Sequence, residues 1–253
     1  MSLEGRHESE RQKWDLLAAA AIGGVQPLPP GEDFHRCADR DPLLRGVSSF
    51  LGDLSGVRVL EYGCGVGSMT VRLARSGADV TAFDISAGSI EVARRRAEIN
   101  DVADRVRFDV APAEALPYTS GSFDVVFGKA VLHHLDLQLG SAELYRVLRK
   151  GGKAAFSEPM GMNPILNVVR DHLPYRSKTP RGADVPMNYD EINAWNKGYS
   201  YFDYREVQLL SMIERAVGFK TALPRLRRAD DWLLTHVPRL RRFCRYVTIF
   251  MIK

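Results

Sequence analysis

Apolar runs that alternate with helical patterns are the feature that most constrains the fold of this chain. The runs lack a polar face, as strands buried on both sides of a sheet do, and amphipathic helical spacing follows several of them. Strand and helix in repetition predict a doubly wound α/β fold with a parallel sheet. We expect strands at residues 57–62, 79–84, 105–110, 123–128 and 153–158, and helices at residues 69–76, 89–100 and 141–148.

The segments before and after this repeat predict additions to a single domain, since 253 residues can bury one large core. After Pro159 a proline-rich stretch and then dense aromatics predict a lid or insertion without a core strand. Residues 204–219 have helical spacing, residues 219–224 have the composition of a short strand, and residues 245–253 indicate a closing strand. We expect one domain over residues 1–253, with a helical cap at 1–50, a ligand-binding core at 57–158, a lid at 159–204 and a C-terminal helix with closing strands at 205–253.

Composition argues against several classes of protein. No apolar run reaches the roughly 20 residues that cross a bilayer, so we expect no membrane span. Residues 1–15 hold four acidic and three basic side chains, unlike the positive start of a secretory signal. The three cysteines, Cys37, Cys64 and Cys244, cannot all pair and lack the spacing of a zinc site, which suits a reducing cytoplasm. We therefore expect a cytoplasmic protein without a bound metal.

The net charge of +4 is unevenly distributed along the chain. Residues 220–245 contain eight Lys or Arg and two Asp, a local charge of +6, so the remainder sums to −2. This segment is interpreted either as a solvated helix face with the flanks of a final strand, or as a contact for an anionic partner.

A glycine-rich turn lies between the first predicted strand and the first predicted helix, in "VLEYGCGVGS" at residues 59–68. Such a turn directs backbone N–H groups and a helix dipole toward a polar ligand. A turn that holds a dinucleotide has its third glycine where Ser68 stands, and Glu61 would repel a pyrophosphate. An acid beside the turn suits instead a ligand that carries an ammonium group together with a carboxylate.

Four motifs in order resemble the class I S-adenosylmethionine-dependent methyltransferases, in particular the small-molecule group called type 11. They are the glycine turn, Asp84 in "VTAFDIS", residues 113–135 and residues 143–159. The resemblance implies a Rossmann-like, mainly parallel seven-stranded sheet whose final strand is antiparallel. It also implies S-adenosylmethionine as cofactor, S-adenosylhomocysteine as product, and a small-molecule acceptor that is methylated at oxygen or nitrogen.

The resemblance implies roles for individual residues of the cofactor site. Asp84 would take both ribose hydroxyls, and Glu61 with the glycine turn would hold the methionine end. The chain departs from the family at Pro112, where an acid usually contacts adenine, so adenine recognition passes to the Ala113 N–H, to Glu114 and to apolar packing. The expected cofactor-binding residues are Glu61, Gly63, Cys64, Gly65, Asp84, Ile85, Ser86, Ala113, Glu114 and Lys129.

Methyl transfer needs in-line positioning, exclusion of water and, for a hydroxyl acceptor, a base. His134 and His133 follow the fourth strand, where open α/β sheets bind ligands, so either is a candidate base. Alternatively one ring only packs or hydrogen-bonds to the backbone, and a metal set with Asp136 lacks an ordered ligand spacing.

An aromatic-rich surface is expected around the acceptor, which favours a flat or lipophilic molecule. Several of these side chains could instead form the core of the lid. The expected substrate-binding residues are Trp14, Phe34, His35, Tyr189, Trp195, Tyr199 and Tyr201.

Two rival functions remain at this point. The basic segment favours an RNA or tRNA methyltransferase, but no "PPY" or "PPW" follows the fourth strand, no Pro-Cys pair is placed as a nucleophile, and no RNA-binding module is recognisable. A non-catalytic regulatory protein that binds the cofactor would retain the same motifs.

Overall fold

One twisted sheet organises the molecule, and the computed structural model describes it over residues 2–172, 185–215 and 224–253. The strands found in these ranges are β1 Arg58–Tyr62, β2 Asp79–Asp84, β3 Val106–Val110, β4 Phe123–Lys129, β5 Leu148–Pro159, β6 Tyr201–Val207 and β7 Tyr246–Ile252. They lie in the order β3-β2-β1-β4-β5-β7-β6. The first five are parallel, while β7 pairs antiparallel with both β5 and β6. The expected Rossmann-like fold is confirmed.

The sheet separates two apolar cores because successive side chains of its inner strands point to opposite faces. Val59 and Phe127 belong to the core that is covered by helices α2 to α5, whereas Leu60 and Phe156 belong to the core covered by α6 and α8. The described helices are α1 Leu3–Ala21, α2 Phe34–Arg40, α3 Val47–Leu51, α4 Ser68–Arg75, α5 Ala87–Glu98, α6 Leu137–Val147, α7 Pro164–His172, α8 Tyr189–Ala194 and α9 Pro224–His236.

Two predictions about the C-terminal part of the chain are wrong. The segment after Pro159 does contain a strand, β6, and the helix expected at residues 204–219 is replaced by the end of β6 and a short 3-10 turn, Ser211–Arg215. The physical reason is pairing: Tyr201 to Val207 hydrogen-bonds along β7, and this edge position suits the aromatic residues of the segment. Residues 216–223, which include most of the short strand expected at 219–224, lie outside the described residues.

Helix α1 determines how the sheet's functional edge is covered. The parallel strands β1, β2 and β4 all end at this edge, as the geometry of βαβ units requires. Helix α1 packs along α5, and Asp15 of α1 accepts hydrogen bonds from Ser86 Oγ at 2.5 Å and from the Gly88 backbone N at 3.0 Å. The N-terminal helix therefore lies across the carboxyl ends of the strands.

Candidate active site

A cavity of about 360 Å³ opens at the carboxyl edge of the sheet beneath α1. Its floor comes from the ends of β1, β2 and β4 and the loop after β3, and its roof is one face of α1. The lining consists of Arg6, His7, Glu10, Trp14, Leu17, Ala18, Gly63, Cys64, Gly65, Val66, Phe83, Asp84, Ile85, Ser89, Ala111, Ala113, Glu114, Lys129, Ala130, Val131, His134 and Leu135.

The glycine turn is fixed to the end of β2 by a carboxylate. Asp84 accepts the Gly65 N–H at 2.8 Å through Oδ2 and the Ser86 N–H at 3.0 Å through Oδ1. Burial raises the pKa of Asp84, and the two backbone donors oppose that shift. A carboxylate has about four acceptor positions, so these bonds leave capacity for further donors such as a pair of hydroxyls.

The space beside Gly65 decides whether the glycine turn has room for a ligand. It adopts φ = 50°, a conformation that favours glycine, and a Cβ at this position would meet no described atom within 4 Å. The side of Gly65 that a side chain would occupy is therefore open space. The turn and Asp84 together fit the methionine and ribose parts of S-adenosylmethionine, which sequence reasoning assigned to them.

Glu61 does not line the cavity, in contrast to the prediction that it grips the ammonium group. Its side chain is buried below the turn, where it accepts a hydrogen bond from Thr70 Oγ1 of α4. Burial raises the pKa of Glu61 to about 8, the Thr70 hydrogen bond lowers it, and the nearby Asp84 raises it. In this position Glu61 joins β1 to α4.

The other predicted cofactor residues have mixed positions. Ile85, Ala113, Glu114 and Lys129 line the cavity, whereas Ser86 is buried and caps α5 through its bond to the Ser89 N–H. Glu114 Oε1 accepts the backbone N–H of Asp136, and Oε2 lies 3.0 Å from His7 Nε2 of the roof. Lys129 Nζ donates to Asp41 Oδ2 at 2.6 Å. Glu114 thus connects the floor of the cavity to α1.

His133 is part of a buried clamp and is absent from the lining. Its Nδ1 lies 2.7 Å from Glu158 Oε2, and both side chains are almost fully buried. Glu158 Oε1 also accepts the N–H groups of Val131 and Leu132, so one carboxylate holds the loop after β4. His133 therefore contacts the carboxylate that holds this loop and lies outside the cavity lining, and its role as a base stays a prediction.

His134 lines the cavity, and α1 brings a carboxylate to it. Glu10 Oε2 lies 3.6 Å from His134 Nδ1 and accepts a hydrogen bond from Trp14 Nε1 at 2.8 Å. The Trp14 ring meets the His134 ring edge-on at 6.0 Å between centroids. Burial raises the pKa of Glu10, but His134, Lys13 and Trp14 outweigh that effect and lower the pKa overall. Glu10 is therefore ionised beside the imidazole.

Six of the seven predicted substrate-binding residues lie outside the cavity lining, and only Trp14 belongs to it. Phe34 packs edge-on against Phe127 in one core, and Trp195 is fully buried near Phe156 in the other. The reason is that these rings fill the cores and flank the sheet. Of the remaining four, His35 contacts Ser48, Tyr189 donates to Glu206, Tyr199 packs on Tyr145, and Tyr201 stacks on Phe50 at the sheet edge.

Sequence reasoning missed the roof residues Arg6, His7, Glu10, Leu17 and Ala18. Their spacing carries a signal: steps of three and four residues through Trp14 place them on one face of a helix. That face mixes charged, aromatic and apolar side chains, so it lacks the apolar stripe by which a packed helix face is ordinarily recognised.

The C-terminal basic segment contains both exposed and paired arginines. Arg225 and Arg228 are exposed on α9, and Arg227 pairs with Glu214 at 2.7 Å, away from the cavity.

Across residues 2–172, 185–215 and 224–253, no three His, Cys, Asp or Glu side chains converge as metal ligands. No helix in these ranges is both long and apolar enough to cross a membrane.

Comparisons with known proteins agree with this fold and identify the family. A family model described as a methyltransferase domain matches residues 60–156. The chain is 33% identical over 197 residues to 27-O-demethylrifamycin SV methyltransferase of Amycolatopsis mediterranei (strain S699), covering 68% of this chain and 72% of the relative. It is 40% identical over 172 residues to demethylmenaquinone methyltransferase of Clavibacter sepedonicus, covering 66% of each.

A solved structure extends the likeness of the fold to almost the whole chain. Geranyl diphosphate C-methyltransferase from Streptomyces coelicolor A3(2) superimposes with a TM-score of 0.65 at 18% identity, covering 98% of both chains. Motifs, cavity and relatives lead to the same conclusion. The chain belongs to the class I S-adenosylmethionine-dependent methyltransferases.

Proposed function

We propose that this enzyme methylates a hydroxyl group of a small molecule, with His134 as the base and Glu10 as the residue that positions it. The observation that carries the proposal is the 3.6 Å approach of the Glu10 carboxylate to His134 Nδ1 inside the cavity. A carboxylate beside Nδ1 favours a proton on that nitrogen, fixes the orientation of the ring and stabilises the imidazolium form. That is the arrangement a hydroxyl nucleophile needs.

This pair of residues, rather than the relatives, supports oxygen as the acceptor atom. The rifamycin relative is named for methylation at an oxygen, whereas the geranyl diphosphate enzyme is named for methylation at carbon. A common fold supports several reactions, and the site decides among them. The His134 and Glu10 pair favours oxygen, because an alcohol or phenol must lose its proton during transfer.

Each of the site residues has one task in the proposed mechanism. Bound S-adenosylmethionine supplies a methyl group on an electrophilic sulfonium. His134 accepts the proton of the acceptor hydroxyl, and the ionised Glu10 stabilises the resulting imidazolium. Trp14 Nε1 holds Glu10 in place, and Asp84 and Gly65 hold the cofactor end of the cavity. General-base assistance of this kind contributes typically ~10²–10⁴-fold in rate.

The roof supports a small acceptor and a site that excludes water. A cavity of about 360 Å³ is at the lower end of the roughly 300–1,000 Å³ range of small-molecule sites. Cofactor and acceptor must share this volume, so only the reacting end of the acceptor fits beneath α1. A roofed site of this size suits a small molecule better than an RNA strand, which would need an open basic channel.

The test is release of S-adenosylhomocysteine across a panel of phenols, hydroxylated polyketides, amines and carbon nucleophiles, with the methylated atom located by mass spectrometry and NMR. We expect an O-methylated product, and His134→Gln should lower kcat by about 10²–10⁴-fold with little change in S-adenosylhomocysteine affinity. Products methylated at nitrogen or carbon, or unchanged turnover by His134→Gln, would contradict the proposal.

A further inference from the structure

A second cavity, of about 310 Å³, shares no lining residue with the cavity described above. It is formed by the end of α2 and the turn that follows, by the end of β6, and by α9. Its lining consists of Ala38, Asp39, Asp41, Pro42, Arg45, Gly46, Glu206, Val207, Gln208, Ser211, Arg227, Asp230, Asp231 and Leu234.

One ion pair separates the two cavities. Lys129 lines the first cavity and Asp41 lines the second, and Lys129 Nζ donates to Asp41 Oδ2 at 2.6 Å. Lys129 is the last residue of β4, and His134 belongs to the short 3-10 turn that follows this strand, Leu132–His134. The linings of the two cavities therefore meet at the Lys129–Asp41 pair.

Gln208 supplies a buried donor that has no partner among the described residues. The residue lines the second cavity and is only 2% exposed. Its Oε1 accepts from Arg245 at 3.3 Å, but no described residue accepts from its Nε2. A buried amide N–H without an acceptor is unfavourable unless a ligand or an ordered water supplies one. Gln208 thus combines a place in the cavity lining with a buried amide N–H that lacks an acceptor among the described residues.

The charges around Gln208 restrict the chemistry of any group that supplies this acceptor. The lining holds five carboxylates and two guanidinium groups, a formal charge of −3. Asp230 is satisfied within the protein, since it accepts backbone N–H groups from three consecutive residues and the Ser211 hydroxyl. Glu206 accepts only the Tyr189 hydroxyl through Oε1 among its described contacts. A carboxylate or phosphate would be repelled here.

A hydroxyl group satisfies both requirements at once, because it accepts from an amide N–H and donates to a carboxylate. We propose that the second cavity binds a neutral, hydroxyl-rich part of the acceptor, such as a sugar ring or a polyol, with Gln208 as acceptor-specificity residue and Glu206 opposite it. This inference deepens the proposed function. The assignment of the bound polyol to the acceptor rests on that function, whereas the binding of a polyol does not.

The experiment measures binding of methyl β-D-glucopyranoside, a neutral polyol, and of glucuronate, an anion with the same ring, to the full chain saturated with S-adenosylhomocysteine. Ligand-observed NMR titration gives both dissociation constants. We expect saturable binding of the glucoside and weaker binding of glucuronate. Gln208→Leu should weaken glucoside binding about fivefold, the effect of one lost hydrogen bond. Gln138→Leu, at an exposed glutamine of α6, is the matched control and should change nothing.

Thermal unfolding and a second variant keep the proposal falsifiable. Gln208→Leu removes both the unsatisfied donor and the long 3.3 Å bond from Arg245, and these changes oppose each other, so its Tm should stay close to that of the parent protein. Glu206→Gln removes one negative charge from the lining and should narrow the preference for the glucoside over glucuronate. No saturable glucoside binding at its solubility limit, equal or tighter glucuronate binding, or an unchanged dissociation constant in Gln208→Leu would overturn the proposal.

The same titration separates this proposal from the proposed function. His134→Gln should keep full affinity for the glucoside, since His134 lies in the first cavity. If the enzyme methylates a hydroxyl group but does not bind the glucoside, the polyol proposal is wrong and the proposed function stands. Glucoside binding in an enzyme that does not methylate hydroxyls would leave the cavity as a polyol site and remove its assignment to the acceptor.

Discussion

Asp15 and Ser86 connect the roof of the active site to the helix that follows the cofactor strand. Ser86 Oγ donates to Asp15 Oδ1 at 2.5 Å, and the same hydroxyl accepts the Ser89 N–H at the start of α5. Asp15 adds the Gly88 N–H at 3.0 Å, so a carboxylate of α1 completes the N-terminus of α5. The position of α1 over the cavity depends on this contact.

Removing this contact should loosen the roof. Asp15→Ala deletes charge-assisted hydrogen bonds worth about 1.5–3 kcal/mol, so amide hydrogen exchange in α1 should accelerate by at least about tenfold. Hydrogen–deuterium exchange of residues 3–21 measures the effect. Glu8→Ala, on the solvent-facing side of the same helix, is the control and should leave α1 exchange nearly unchanged. Equal exchange in Asp15→Ala and the parent would show that α1 is held by other contacts.

The glycines of the turn should respond differently to alanine. A Cβ at Gly65 meets no described atom within 4 Å but projects toward the ligand, whereas a Cβ at Gly67 would approach Ala93 Cβ at 2.7 Å. We expect Gly65→Ala to fold, at a cost of roughly 1–2 kcal/mol for its left-handed backbone, and to lose cofactor binding. Gly67→Ala should be far less stable because α4 and α5 must separate. Calorimetric titration and urea unfolding provide the two readouts, and the reverse pattern would contradict them.

Glu61 predicts a pH-dependent stability. Its pKa is about 8 when folded against an ordinary value of 4.5, so between these values the unfolded chain loses a proton that the folded chain keeps. The contribution of Glu61 to the free energy of unfolding therefore falls as pH rises through this window, by at most about 1.4 kcal/mol per pH unit, and levels off above pH 8. Glu61→Gln lacks this loss and still accepts from Thr70.

The measurement is urea unfolding of Glu61→Gln and the parent from pH 5 to pH 9. The stability difference should favour the variant increasingly up to about pH 8. Glu98→Gln, at an exposed carboxylate of α5, should show no such trend. A difference independent of pH would mean that Glu61 is ionised in the folded protein.

Substitution of the two adjacent histidines should lower the free energy of unfolding by different amounts. His133→Ala leaves the fully buried Glu158 Oε2 without its imidazole partner, and removing the hydrogen-bond partner of a buried polar group costs about 1–3 kcal/mol. His134→Ala removes a side chain at the cavity wall and should cost far less stability. Urea unfolding of both variants measures the contrast. Equal destabilisation would show that His134 also supports the fold.

The inner strands and the cofactor turn could be predicted because their signals are local. Buried parallel strands are short apolar runs, and the turn and Asp84 occupy fixed places in the units that contain them. Strand β6 could not be predicted in this way. At the edge of the sheet it keeps charged residues such as Arg205 and Glu206 among its aromatics, and the same letters satisfy a helical pattern.

The roof could not be predicted because its contacts join distant parts of the chain. His7 and Glu114 are 107 positions apart, and nothing near either residue indicates the other. The aromatic residues failed for a different reason: Trp195 and Phe34 have the same chemistry in a core as around a ligand, and only packing distinguishes the two. Glu61 was misjudged since the sequence places it beside the turn without showing that Thr70 occupies its carboxylate.

Helix α1 lies outside residues 60–156, the span that the family model matches, yet it forms the wall that faces the acceptor. The roof of the cavity and the glycine turn with Asp84 are therefore contributed by separate stretches of the chain. In the proposed mechanism, substitutions on the inner face of α1 would change the wall beside the acceptor and leave the turn and Asp84 unaltered. A chimera that carries the N-terminal helix of another family member is the corresponding engineering route to a new acceptor.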